Sequence, residues 1–306
     1  MSGTQPGQEI PLVFECRGEN LLGIIHQPSS PARYGIITVV AGGPQYRAGM
    51  GRGLVSMGRA LSARGIAVMR FDHRGLGDSS GDFLGFEHLD NDLQAAVAAF
   101  RAHVPEVEKI VLWGGCDAAS GIMMHACKVP DVVSIIMGNP FVSTSETQAA
   151  VARQHYLKRL GEWSFWRKLL RFEYNLFDYV GAAVSRVRAK LSKRTGKSGS
   201  KPENKAAAIA RSAGAAERDT SFIDRMLAGL QSFDGPALFV MSGQSLVSKE
   251  FDELLARSSA WRAAYGRPGN QRVDLPNADQ AFSSQDAKAR VNEAVTGWLQ
   301  RLDQSG

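Results

Sequence analysis

Apolar positions along this chain recur in two alternating rhythms: short, nearly continuous runs, and longer stretches at helical spacing. PLVFECRG and NLLGIIHQP are short β-type runs around a turn at Gly18 to Asn20, which predicts an N-terminal hairpin. YGIITVVAGGP is a continuous apolar run ending in glycines, the pattern of a strand buried on both faces. Leu54, Met57, Leu61 and Ala63 repeat at helical spacing, Gly65 closes that helix, and IAVMRF predicts the next strand. A loop from Asp72 to Gly81 leads to an amphipathic helix over Leu89 to Phe100, with Leu93, Ala96, Val97 and Phe100 on one stripe, and then to the strand KIVLWG. A helix over 117–127 is followed by DVVSIIMGNP, a strand stopped by Asn139 and Pro140. After a long interruption, regular structure resumes with a helix from Phe222 to Leu230 and the strand PALFVMSG. The helical KEFDELLARS, the strand QRVDLP, the loop NADQAFSSQ and a final helix from about Asp286 to Leu302 complete the chain. Such alternation predicts a mostly parallel sheet covered by helices on both faces.

The interruption, 141–222, predicts no strand and carries aromatic helical segments such as RQHYLKRLGEW and SFWRKLLRFEYNLFDYV. It reads as a helical cap inserted into an α/β core made of 1–140 and 223–306. Within it, 186–205 holds eight basic residues among Ser, Gly and Ala, with Glu203 the only acid. Such a stretch is expected to be a solvated loop; the alternative is a contact with an acidic lipid, polymer or nucleic acid.

Composition narrows the class. A chain of 306 residues with 44% hydrophobic positions can bury a large core. Cys16, Cys116 and Cys127 are odd in number and widely spaced, with no partner at zinc spacing, which argues against a disulfide framework and a metal site. The N-terminus, MSGTQPGQE, is too polar for a signal peptide, and no run approaches the roughly 20 apolar residues of a membrane helix. A soluble, cytoplasmic protein is expected, with no cofactor and no nucleic-acid partner, since 36 Lys and Arg against 30 Asp and Glu is a mild excess.

The chemistry concentrates in VLWGGCDAASGIMMHA, residues 111–126. An apolar strand, a sharp turn through Gly114, Gly115, Cys116 and Asp117, and a small-residue helix make the layout of a nucleophile elbow, Gly-x-Ser-x-Gly, in which a strained turn lifts the nucleophile above the sheet. Here Cys116 takes the nucleophile position and Ala118 replaces the last glycine. A buried cysteine in an ordinary turn is the alternative.

Across nearly its whole length the chain resembles the α/β-hydrolases, and within them the group described as exosortase A system-associated hydrolase 1. The resemblance is carried by GGPQYRAG at 42–49, RFDHRGLGDSSG at 70–81, LWGGCDAAS at 112–120, NPFVST at 139–144, YLKRL and FWRKLL in the cap, RMLAGLQSFDGP at 225–236 and SGQSLVSKEF at 242–251. It implies an α/β-hydrolase fold and a bacterial acyl hydrolase with a cysteine in the elbow. Two departures stand out. The family pattern places an Asp after the strand at SGxD, where this chain has Ser245, and a His in ADHxF, where it has Gln280. The usual orienting acid and general base are both absent.

The fold implied by the resemblance supplies an oxyanion hole from the backbone N–H groups of Asp117 and Gly43; Pro44 has none to give. A cysteine at a helix N-terminus can titrate at about 3.5 to 7.5, so Cys116 is expected to be partly thiolate without any His. Expelling a thiolate hardly needs a general acid, which makes acyl thioesters the substrates least affected by the missing His. Hydrolysis of the acyl-Cys would still need an activated water. Gln280 and Ser245 are then expected to hold polar substrate groups or a water, or else to fill vacated space. Pro44, Gln45, His73, His155, Trp163 and Trp166 are candidate substrate contacts, although packing is the simpler reading for the aromatic residues. His125 lies about 13 Å along the elbow helix and should point away, whereas His73 and His155 are better stand-ins for the base and Glu146 for the acid. Arg47, Arg70 and Arg74 are expected to satisfy carboxylates such as Asp72 and Asp78.

Two functions remain open: an acyl-transfer enzyme with a degenerate triad, acting on a small-molecule acyl substrate such as a thioester or ester, and a pseudo-hydrolase that binds or scaffolds. Lyase or isomerase chemistry would need a positioned base.

Overall fold

The computed structural model describes residues 7–42, 45–143 and 221–304. The chain divides into two compact units, Met1–Thr147 with Asp219–Gly306, and Gln148–Arg218. The second unit, with the basic stretch 186–205 and most of the expected cap, lies outside the described residues.

The first unit is built on one eight-stranded sheet in the order β1-β2-β4-β3-β5-β6-β7-β8. Strands β1 (Gln8–Cys16) and β2 (Glu19–Gln27) form the expected hairpin, turned by Arg17 and Gly18, both at positive φ. β2 runs antiparallel to β4 (Ala67–Phe71). From there β3 (Tyr34–Val39), β5 (Lys109–Gly115), β6 (Val132–Gly138), β7 (Ala237–Ser242) and β8 (Gln271–Leu275) pair in parallel. Every residue of β3, β4 and β7 is buried, which is why those segments read as unbroken apolar runs rather than alternations.

Helices cover both faces. Residues of α2 (Asp90–His103), α3 (Asp117–His125) and α4 (Ser221–Ser232), such as Leu93, Phe100, Met123 and Met226, pack with Ile37, Leu112 and Phe239. On the other face Met57 and Leu61 of α1 (Gly53–Ser62) and Val291, Val295 and Trp298 of α7 (Gln285–Gln304) pack with Val111, Trp113 and Val240. Between them in sequence lie α5 (Leu246–Arg257) and α6 (Ser259–Tyr265). The apolar pattern along the chain does not mark α6, although Ser258 accepts the Trp261 N–H as its N-cap.

Arg47, Arg70 and Arg74, of which only Arg70 is buried, each meet a carboxylate as expected, though not always Asp72 or Asp78. Arg47 does bind Asp72 and Asp78. Arg74, however, forks onto Asp92 of α2, and Arg70 donates to His26 Nε2 at 2.8 Å with Glu9 at 3.6 Å. Spacing along the chain cannot reveal these partners, because α2 and β2 reach them only through the sheet.

Candidate active site

The polypeptide leaves β5 at Gly115 and enters α3 at Asp117, so Cys116 alone makes the turn. Its backbone sits at φ 55 and ψ −124, a region costly to a residue with a Cβ, of order 1 to 3 kcal/mol. The surroundings hold it there. The Cys116 N–H donates to Gly138 O at 2.8 Å, and its carbonyl accepts from the Phe141 N–H at 3.2 Å. Gly114 has to be glycine, since a Cβ there would come within 2.7 Å of Ile122 Cδ1 and 2.9 Å of the Ala118 carbonyl carbon. That close approach lets α3 fold back directly over the strand.

Cys116 opens onto a cavity of about 400 Å³, within the usual range for small-molecule sites. Its walls are largely apolar: Val39 at the end of β3 and Val40 just beyond it, Leu54 and Met57 of α1, Trp113 of β5 and Phe282. The polar groups on the wall are Gln45, Asp117, Gln280, and Lys288 and Asn292 of α7.

Gln280 comes to the sulfur. Its Nε2 donates to Cys116 Sγ at 3.5 Å across 164 positions of sequence. The loop that carries it is fixed by Asn139, whose Nδ2 donates to Gln280 O at 3.0 Å and whose Oδ1 accepts from the Ser242 N–H at 2.8 Å. Asn139 is fully buried with φ 46, a conformation that asparagine tolerates better than most residues. In the sequence it marks only the stop of β6, yet it ties the end of that strand to the end of β7 and to the Gln280 loop.

Ser245 is engaged elsewhere. Its hydroxyl accepts from the Ser248 N–H at 3.2 Å, as the N-cap of α5, and it is absent from the cavity wall. Its hydroxyl thus serves the helix cap and does not reach the cavity.

Asp117 contributes more than a backbone N–H. Its carboxylate accepts from the Gly42 N–H at 3.0 Å to each oxygen and from the Ala118 N–H at 2.9 Å. It therefore takes the positive end of α3 for itself and ties the loop after β3 to the elbow. Burial holds this carboxyl above its usual range, against the pull of those N–H donors.

This arrangement reverses the expectation of a thiolate. Burial first, and then the Asp117 charge, push the Cys116 thiol up to about 11, while the Asp117 N–H and the Gln280 amide pull the other way and lose. Glu250 of α5 adds a smaller upward push. Glu250 is itself buried, its carboxyl raised by desolvation against the pull of a hydrogen bond from Ser143, and among the described residues its Oε2 has no hydrogen-bond partner. Nothing in KEFDELLARS marked it as a residue near the nucleophile.

Among the other candidates, Gln45 lines the cavity. His73 does not: it is buried against Phe83, with ring centroids 5.7 Å apart, and desolvation lowers its pKa. His125 points away as expected, with Nε2 3.1 Å from Glu87 O. Gly43, Pro44, Glu146, His155, Trp163 and Trp166 lie outside the described residues. Among the described residues no group of three or more His, Cys, Asp or Glu is placed to hold a metal ion, and no helix is long and apolar enough to cross a membrane.

Comparison with known proteins agrees with this geometry. The family model described as serine aminopeptidase, S33, matches residues 50–250. An esterase from Pyrococcus furiosus is similar in structure at TM-score 0.61 and 15% identity, over 96% of this chain and 91% of its own. An α/β-hydrolase from a Penicillium species is similar at TM-score 0.59 and 16% identity, over 96% and 98%. The esterase domain of a Rhodothermus marinus protein gives 0.56 and 17%, over 96% and 99%. No curated protein matches in sequence. The described sheet and elbow are those of the α/β-hydrolase fold.

Proposed function

The chain belongs to the serine aminopeptidase S33 family, enzymes of the α/β-hydrolase type, and on that premise we propose that it is an acyl-transfer enzyme using Cys116 as nucleophile in a degenerate triad. The observation that carries the reading is the strained backbone of Cys116 at the mouth of an apolar cavity. Strain of this kind is kept where the side chain it presents is used.

The substrate we assign is an activated acyl compound, in the first place an acyl thioester. Cys116 Sγ attacks the carbonyl carbon, the bond from that carbon to the leaving sulfur breaks, and the proton given up by Cys116 ends on the departing thiol. The backbone N–H of Asp117 and that of Gly43 would receive the developing oxyanion. Gln280, as a donor, would stabilise the thiolate and then hold the acyl-Cys, without acting as a base. The acyl group would leave to a self-sufficient nucleophile such as an amine, or slowly to water. The resemblance to exosortase A system-associated hydrolase 1 supports a role for this chemistry beside bacterial exopolysaccharide systems, and three free cysteines suit a reducing cytoplasm.

Incubation with acyl thioesters and intact-protein mass spectrometry tests the reading. A mass increase of one acyl group, absent in Cys116→Ala, is expected; neither adduct nor turnover at any pH up to the limit of folding would overturn it.

One observation favours a second reading. A thiol raised to about 11 is almost wholly protonated at neutral pH, which suits a pseudo-hydrolase that binds an acyl ligand without turning it over. Ligand-dependent stabilisation that is equal in wild type and Cys116→Ala, without adduct, would select it.

A further inference from the structure

The cavity carries two polar side chains on α7 that the chemistry at Cys116 does not use. Asn292 is 6% exposed and sits on the cavity wall, and its side-chain amide makes no hydrogen bond among the described residues. Lys288 is one turn earlier on the same helix, on the same wall, and makes no ion pair among the described residues; its Nζ reaches only Gly51 O, at 3.4 Å. Residues four apart on a helix share a face, and both line this cavity, Lys288 also lining a neighbouring surface groove with Gly51 and Arg52. Asn292 is not among the residues with a polar atom sealed from solvent and unpaired, so its amide is open to the cavity, and a ligand that displaces water there must supply a hydrogen bond in exchange.

The wall is polarised. Asp117, a carboxylate, stands beside Cys116, and the cation and the amide stand on α7, with Leu54, Met57 and Val291 also on the lining. A purely hydrocarbon acyl chain would leave Asn292 unpaired. An anionic chain end would be repelled near Asp117 and would gain charge-assisted hydrogen bonds at Lys288 and Asn292.

We propose that Lys288 and Asn292 form a subsite for the carboxylate of an acyl chain that carries a second, terminal carboxyl group, so that the ligand is the half-ester, half-thioester or half-amide of a dicarboxylic acid. This deepens the acyl-transfer reading and rests on it for the fate of the ligand, though not for its binding.

Unreactive amides separate the two. Half-amides of dicarboxylic acids and primary alkyl amides of matching chain length are titrated into the full chain by calorimetry, over a series of lengths. At the best length the half-amide is expected to bind at least about tenfold tighter, the gain of a charge-assisted contact. Lys288→Met and Asn292→Leu should each remove most of that preference, while Cys116→Ala should keep it. Raised salt should weaken the half-amide alone. Equal or weaker binding of the half-amide, or a preference that survives both α7 substitutions, overturns the subsite. If Asn292→Leu fails to fold, Lys288→Met alone decides. Preference without any Cys116 adduct from thioesters would keep the subsite and sink the acyl-transfer reading; adducts from alkyl thioesters without preference would do the reverse.

Discussion

The side-chain amide of Gln280 donates to the sulfur of Cys116 across 3.5 Å, at the place where a general base would have to accept. A donor there favours the thiolate but cannot remove the proton, and burial outweighs its help, leaving the thiol at about 11.

Thiol reactivity should therefore be low at neutral pH and steeply pH-dependent. Only the thiolate attacks, so alkylation of Cys116 should rise about tenfold per pH unit up to about 11 and run slower than a free cysteine at pH 7. Iodoacetamide kinetics, with Cys116 followed by peptide mapping, check this. A plateau below pH 8 would contradict it.

Asp117 is the charge that adds to burial. Asp117→Asn keeps an acceptor for the Gly42 and Ala118 N–H groups and removes the negative charge, so the alkylation profile should move to lower pH. An unmoved profile would leave burial, with the smaller push of Glu250, as the cause.

Gln280→His puts an acceptor within reach of the sulfur on a loop already fixed by Asn139. A positioned base contributes about 10² to 10⁴ in rate, so hydrolysis of activated esters near pH 7 should increase toward the lower end of that range, with no acid to orient the ring. The increase should vanish in the double variant with Cys116→Ala.

Ser245 acts on stability. Ser245→Ala removes the cap of α5 and should cost about 0.5 to 2 kcal/mol in chemical denaturation, while Ser245→Asp should keep the cap. Thiol alkylation at Cys116 should stay within about twofold in Ser245→Ala, which separates a cap from a site residue.

His26 predicts an acid-side loss of stability. It is buried, accepts from Arg70, and its pKa falls from 6.5 to about 4, burial being the main cause and the Arg70 charge the next. Folded His26 binds its proton less readily than the unfolded chain does, so its contribution is complete above pH 6.5 and is lost as pH falls from there toward 4. Denaturation midpoints at pH 7.5 and pH 4.5 should differ less in His26→Gln than in wild type. Gly58 packs against this ring, where a Cβ would lie 2.4 Å from Cδ2, so Gly58→Ala should destabilise at either pH.

What the sequence determined by itself was whatever rests on local pattern. Buried parallel strands are apolar on both faces, so β3, β4 and β7 were legible as unbroken runs. The elbow was legible because glycine and small residues must flank a turn that folds a helix back over its strand, and Ser245 and Gln280 stood out as the positions where the resemblance implies an acid and a base. Only the tertiary structure decided what those residues do. The state of the Cys116 thiol depends on how deeply α3 and the loop after β3 enclose it and on where the Asp117 carboxylate turns, and the role of Ser245 depends on which backbone N–H lies within reach. The pairing of Arg74 with Asp92, the anchoring of Gln280 by Asn139 and the meeting of α1 with α7 around one cavity join residues far apart in sequence. Desolvation and pairing of this kind are set by the neighbours that the fold supplies, and the order of residues along the chain carries no local sign of them.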